Sequence, residues 1–297
     1  MTRHTASRSP VSCVMESHEE LRPYLFAIAY RMLGSVTEAE DVVQDAFLRY
    51  HEADVEAESP KAYLATVTTR LAIDQLRSAR VKREVYPGEW LPEPIVDDEA
   101  ARHAETADAL SLAFLHLLEK LSPVERAVFL LREVFDYPYA DVARIVGKSP
   151  ANSRQILARA HRHIEEGRQR YEVSREEREE VARRFVAAWE EGDTDGLIEL
   201  LAPDATVFGD GGGKAPAMPA PLVGAERVAK ALIGWGRQAA ERGIIHRPAS
   251  VNGEPGLVFY EPGGRTLWVA ALEVADGVVV AVRSVLNPDK LAHLGTR

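Results

Sequence analysis

The sequence predicts a multidomain chain in which two all-α units, the second a helix-turn-helix, precede one α+β domain. Three observations predict it. Helix-start signals and 3.6-residue apolar periodicity run through residues 17–85 and again through 109–171. A proline-bearing acidic stretch, 86–108, separates these two blocks. Over 174–297 the pattern opens with one helix and then turns to Gly, Pro and β-branched runs. A length of 297 residues suits two or three domains.

In the first block, Thr37-Glu38-Ala39-Glu40 has the form of a capping box and predicts a helix start. Val43, Ala46, Phe47 and Tyr50 then make a buried stripe at i, i+3, i+4 and i+7. Ser59-Pro60 predicts a second start, with Tyr63, Leu64, Val67, Leu71 and Ile73 buried and a basic end. Pro87, Gly88, Pro92 and Pro94 exclude regular helix nearby, and Asp97, Asp98, Glu99, Glu105 and Asp108 make 86–108 an acidic linker. In the second block, Ser122-Pro123-Val124-Glu125 is a capping box with Pro at N1. A short helix over Tyr139–Val146, a Gly147 stop and a Ser149-capped helix to about His163 form the helix-turn-helix. The third block starts with a helix capped by Ser174. Leu257–Tyr260, Thr266–Val274 and Val278–Val285 read as strands, with Ala275-Asp276-Gly277 as a hairpin turn.

Composition narrows the class. Hydrophobic content of 46% and charged content of 28% are those of an ordinary globular protein, and no apolar run is long enough to span a membrane. Residues 1–16 carry no apolar segment of the secretory kind; they read as a disordered tail or an overlong gene start, with Met15 as the alternative start. The single cysteine, Cys13, excludes a disulfide framework within the chain, and the expected compartment is the cytoplasm. The net charge of −10 hides two acid-free basic stripes. One carries Arg77, Arg80, Lys82 and Arg83; the other carries Arg144, Lys148, Arg154, Arg159 and Arg162.

Two helical faces have interface chemistry. Opposite the first apolar stripe lie Asp41, Gln44, Asp45 and Leu48, a polar face with one apolar contact, suited to another protein. On the second helix of the helix-turn-helix, Ser153, Ile156, Leu157, Ala160 and Ile164 face the core. Ala151, Asn152, Gln155, Ala158, Arg159 and Arg162 face away. Asn152 and Gln155 suit adenine in a major groove; Lys148, Ser149, Arg154, Arg159 and Arg162 suit the phosphate backbone.

Tyr30 to Arg49 and Ser59 to Arg77 resemble region 2 of extracytoplasmic-function sigma factors. Leu121 to Leu130 and the helix-turn-helix resemble region 4. The resemblance implies a dissociable RNA polymerase subunit that reads promoter DNA. The Asp41, Gln44, Asp45 and Leu48 face would grip the clamp helices of the polymerase largest subunit, and region 4 its flap. The loop from Glu52 to Glu58 would hold a base flipped from the −10 element, while Arg77, Arg80, Lys82 and Arg83 meet phosphates.

Three motifs narrow this further: Trp90-Leu91-Pro92-Glu93-Pro94, Asp210-Gly211-Gly212-Gly213-Lys214 and Asn287-Pro288-Asp289-Lys290. They resemble sigma factors with a C-terminal SnoaL-like extension, a cystatin-like cone, and the resemblance implies contact between extension and sigma core. Gly211 to Lys214 lacks the spacing and the Ser or Thr of a nucleotide phosphate loop. Asp204, Asp210, His246 and His293 are candidate bases for a cone cavity walled by Trp189, Trp235 and Trp268, but no spacing pairs them. The expectation is therefore no enzyme, no cofactor and no metal, with an unidentified small ligand in the cavity. Two rival readings remain at this point: a repressor using the helix-turn-helix alone, and a cyclase-like enzyme fused to a DNA-binding module.

Overall fold

The computed structural model describes residues 10–53, 59–96, 111–165 and 174–295, with side chains from Glu20 onward except at 80–84 and 165. The Asp54 to Glu58 part of the base-holding loop and the acidic run from Asp97 to Asp108 lie outside the described residues.

Helices α1 (Pro10–Leu33), α2 (Val36–Glu52) and α3 (Pro60–Glu84) form the first unit. α2 starts before the expected box at Thr37, because the Ser35 hydroxyl accepts the Glu38 N–H at 3.1 Å and so sets the cap two residues earlier. Gly34 ends α1 at φ +67°, and a Cβ there would stand 2.8 Å from the Trp90 indole. The second unit holds α4 (Leu112–Leu118), α5 (Pro123–Phe129) with a π turn over Leu130–Val134, α6 (Tyr139–Val146) and α7 (Pro150–Glu165). The Ser122 box forms in full, and Gly147 turns the chain between α6 and α7 at φ +66°.

The two helical units share one core. It runs from Leu25, Tyr30, Leu64 and Leu76 of the first unit to Phe114, Val128, Ile145 and Ile156 of the second. Arg126 is buried at the seam and donates to the Met32 carbonyl at 2.6 Å and to the Leu118 carbonyl at 3.0 Å. Its remaining nitrogen pairs with Glu119 at 2.5 Å, so the charge is buried but fully engaged. Arg70 on α3 donates to the Ile145 and Arg144 carbonyls, each at 2.9 Å, at the end of α6. The Tyr24 and Tyr137 hydroxyls meet at 2.6 Å.

The third unit is α+β. It holds α8 (Arg175–Glu191), α9 (Thr194–Leu200), β1 (Leu201–Asp210), β2 (Leu222–Val223) and α10 (Ala225–Glu241). β3 (Ile245–Val251), β4 (Glu254–Tyr260), β5 (Thr266–Ala275), β6 (Val278–Val285) and α11 (Pro288–Leu291) complete it. The sheet order is β2-β1-β6-β5-β4-β3, with β1 parallel to β6 and the other pairs antiparallel. Register shifts in three of these pairs bend it. The expected single helix is thus joined by α9 and α10.

Both sheet faces are apolar. Leu257, Phe259, Ala270 and Leu272 pack under α8 to α10. Val258, Tyr260, Val269 and Ala271 face the other way and are covered by Leu91 and Val96 of the proline-rich segment, Leu112 of α4 and Leu291 of α11. Leu91 and Ile95 are 0% and 1% exposed, each contributing on the order of 2 kcal/mol of transfer free energy. Residues 86–96 are therefore a packed strap, not a free linker.

Candidate functional site

The face of α2 expected to meet a protein partner is open. Asp41, Gln44 and Asp45 are exposed and Leu48 is 53% exposed, while Val43 and Ala46 on the same helix are buried. An apolar side chain at this exposure, ringed by carboxylates and an amide, has the make-up of an interface.

The DNA-directed residues divide in two. Arg77 is exposed and pairs with Asp74 at 2.8 Å. Arg80, Lys82 and Arg83 continue α3, and their side chains lie outside the description. On the helix-turn-helix, Lys148, Ser149, Arg154, Gln155, Arg159 and Arg162 are exposed and Asn152 is half-buried. The Ser149 hydroxyl is occupied, accepting the Asn152 N–H at 3.2 Å as the cap of α7. Arg159 lies 3.8 Å from Glu125, and Arg154 stacks 4.8 Å from the Tyr139 ring centroid.

The three motifs meet in one place. Asp210, at the end of β1, is fully buried. Its carboxylate accepts from the Tyr86 hydroxyl at 2.6 Å, the Leu91 N–H at 2.8 Å and the Lys290 ammonium at 2.6 Å. Lys290 also donates to the Leu91 carbonyl at 2.5 Å and lies 4.0 Å from the Trp90 ring centroid. Asn287 donates to the Tyr86 hydroxyl at 2.8 Å and accepts the Asp289 N–H at 3.1 Å, with Pro288 at the first position of α11. Gly212, at φ +57°, cannot carry a Cβ, which would fall 2.2 Å from the Asn287 amide nitrogen. Gly211 and Gly213 close against Ala215 and Pro87, and Lys214 pairs with Asp289 at 2.5 Å at the solvent edge.

From this junction the strap reaches the start of α2. Glu93 is buried and accepts from the Ser35 hydroxyl at 2.8 Å, the Val36 N–H at 2.7 Å and the Thr37 N–H at 3.2 Å. It supplies a carboxylate to the positive end of α2 from 56 residues away in sequence. Replacing Glu93 by alanine orphans these donors and should cost the full chain about 1–3 kcal/mol. Urea denaturation measures it, with Glu93→Gln, which keeps one acceptor, expected between the two; an unchanged midpoint for Glu93→Ala would contradict the capping role.

Three contact residues escaped the sequence reading. Tyr30 donates to the Glu93 carbonyl at 2.6 Å. Tyr86 bridges Asp210 and Asn287. Asn252, at φ +53° in the β3–β4 turn, exchanges two hydrogen bonds with the Ile95 backbone at 2.8 and 2.9 Å. The Asn252-Gly253 turn dipeptide is the one sequence signal at Asn252, and it marks the turn rather than the contact; for the tyrosines there is none.

The candidate cavity bases do not converge. Asp204 is exposed, Asp210 belongs to the junction, and His293 lies 2.8 Å from the Pro94 carbonyl. Trp235 is 40% exposed, while Trp268 stacks on Phe259 at 4.1 Å. His246 stands beside Trp189 and bonds Glu190 at 2.7 Å, in a cavity of about 310 Å³. Among the described residues no group of three or more His, Cys, Asp or Glu gathers as a metal site, and no helix is long and apolar enough to cross a membrane.

Known proteins match along the whole chain. The family model of sigma-70 region 2 matches residues 18–81, and that of sigma-70 region 4 matches residues 111–164. The ECF RNA polymerase sigma factor SigJ of Mycobacterium tuberculosis is 37% identical over 290 residues, covering 92% of this chain and 91% of SigJ. The probable sigma factor SigI of the same organism is 32% identical, with 97% of each chain covered. The crystal structure of Mycobacterium tuberculosis SigJ superposes with a TM-score of 0.79 at 34% identity, covering 96% of this chain and 100% of that one. The same overall fold thus recurs in a relative of matching length, and the chain belongs to the extracytoplasmic-function RNA polymerase sigma factors.

Proposed function

We propose that this sigma factor is held in a closed form by its own C-terminal domain, through the strap and the Asp210 junction. The observation that carries the reading is the burial of Asp210 against Tyr86, Leu91 and Lys290, which joins all three motifs. In an open form, Asp41, Gln44, Asp45 and Leu48 engage the clamp helices of core polymerase, and region 4 engages its flap. Arg77, Arg80, Lys82 and Arg83 meet −10 phosphates. Asn152 and Gln155 read −35 bases, with Lys148, Ser149, Arg154, Arg159 and Arg162 on the backbone.

Geometry supports the opening. Elements about 25 base pairs apart lie roughly 85 Å apart along B-form DNA. Two units that share one core, sealed by Arg126 and Arg70, do not reach both at once. Trp90 to Pro94, Asp210 to Lys214 and Asn287 to Lys290 are then the contacts that differ between the states, as any coupling between domains requires.

Run-off transcription tests this with core polymerase alone, core with the full chain, and core with a truncation ending at Tyr171. Either form of the chain is expected to direct initiation that core cannot, and the two forms to differ in level. Equal levels would remove the regulatory role; no initiation and no core binding by either form would remove the polymerase and promoter assignments.

A further inference from the structure

Arg154 stands on α7 one position before Gln155, at the flank of the face directed to DNA. It is exposed, and its partner among the described residues is the ring of Tyr139, whose centroid lies 4.8 Å from the guanidinium carbon. Tyr139 opens α6, the first helix of the helix-turn-helix. Its ring holds a second cation, Arg132, at 5.2 Å. Arg132 is tied down independently, donating to the Tyr137 carbonyl at 3.1 Å and to Asp136 at 3.2 Å. One arginine is thus engaged with protein oxygens, while the other has an aromatic face and, among the described residues, no acceptor. The Tyr139 hydroxyl makes no hydrogen bond among the described residues, so the ring face is what this side chain contributes.

We propose that Tyr139 is a positioning residue for −35 recognition: its ring seats the Arg154 guanidinium beside the first turns of α7, aimed at a DNA phosphate. A free arginine loses several rotatable bonds when it is fixed on a phosphate. Stacking on a ring fixes much of that freedom beforehand and leaves the planar donors pointing outward, since the ring face uses none of them. Two cations on one ring also make an electropositive corner where α6 meets α7. This inference rests on the −35 reading of α7.

The test uses the holoenzyme made from core polymerase and the full chain. The probe is a promoter fragment that the wild-type holoenzyme selects from a pool randomised across both elements, with a second fragment scrambled at −35. Arg154→Ala is expected to weaken the selected fragment and to lower the salt slope by about one. Tyr139→Leu is expected to weaken it about two- to five-fold, the scale of an exposed cation–π contact. Tyr139→Phe, which keeps the ring, is expected to bind as wild type, and Tyr139→Leu is expected to add nothing in an Arg154→Ala background. Phe as weak as Leu, or additive losses in the double variant, overturns the proposal, and so does a wild-type affinity for Tyr139→Leu while −35 discrimination persists. Equal binding of the scrambled fragment by wild type overturns the −35 reading itself, and this inference with it.

Discussion

Asp210→Ala lowers the unfolding free energy of the full chain by about 3–5 kcal/mol, the scale for removing one partner of a buried ion pair. The carboxylate is 0% exposed and receives three donors, from Tyr86, Leu91 and Lys290. Alanine takes the carboxylate away from a buried ammonium and from a hydroxyl and a backbone N–H that donate to it. Asp210→Asn keeps an acceptor of the same shape but not the charge, so its loss is smaller. Combining Asp210→Asn with Lys290→Met removes both buried charges and should recover much of the stability, as replacement of buried pairs by apolar groups often does. Guanidinium denaturation of the three variants reads the series. A wild-type midpoint for Asp210→Ala would show that the junction carries little of the stability, and a double variant as unstable as the single one would mean that charge burial is not the cause. Because the same carboxylate pins the strap, Asp210→Ala should also change run-off transcription in the direction that truncation at Tyr171 does.

What the sequence made legible was local. The Ser122 box, the Ser174 cap and the Gly147 stop are chemistry within three or four residues, and each forms. The faces of α2 and α7 follow from helical periodicity: Val43 and Ile156 are buried, Asp45 and Gln155 exposed. β1 and β3 were hidden by Pro203 and Pro248, which weaken a strand pattern, and α10 by Gly234 and Gly236. Gly236 has a tertiary cause: a Cβ there would lie 2.8 Å from the Trp189 indole nitrogen. The shared core of the two helical units was not legible, because Arg126 and Met32 are 94 residues apart, and neither was the seam with the sheet, where Asn252 and Tyr30 are 222 residues apart. One wider signal was present: Leu257–Tyr260 is apolar on both faces, which requires cover on each side. It does not say that the cover is the proline-rich strap.

The seam between region 4 and the sheet should weaken in acid through one histidine. His116 on α4 meets Phe208 of β1 edge-on at 5.6 Å, with side-chain exposure of 26%. Arg283 and Glu273 face it from the sheet, Glu89 stands 3.9 Å away on the strap, and Glu119 and Lys120 follow on its own helix. Burial lowers its pKa from 6.5 to about 4; Arg283 and Lys120 act in the same direction, and Glu119 and Glu273 oppose them. The folded state thus prefers the neutral ring, while the unfolded chain takes up a proton near pH 6.5. Stability from this group is complete above pH 6.5 and is lost as the pH falls from 6.5 to about 4, amounting to at most about 3 kcal/mol. His116→Gln fills similar space without titrating, so the difference between its stability and that of wild type should change across this window and be flat above it. Parallel stability curves for the two proteins between pH 7 and pH 4 would mean that the imidazole is not held neutral and that the seam is indifferent to protonation. A curve that narrows in acid would instead make this contact, between region 4 and the sheet, one that acid loosens.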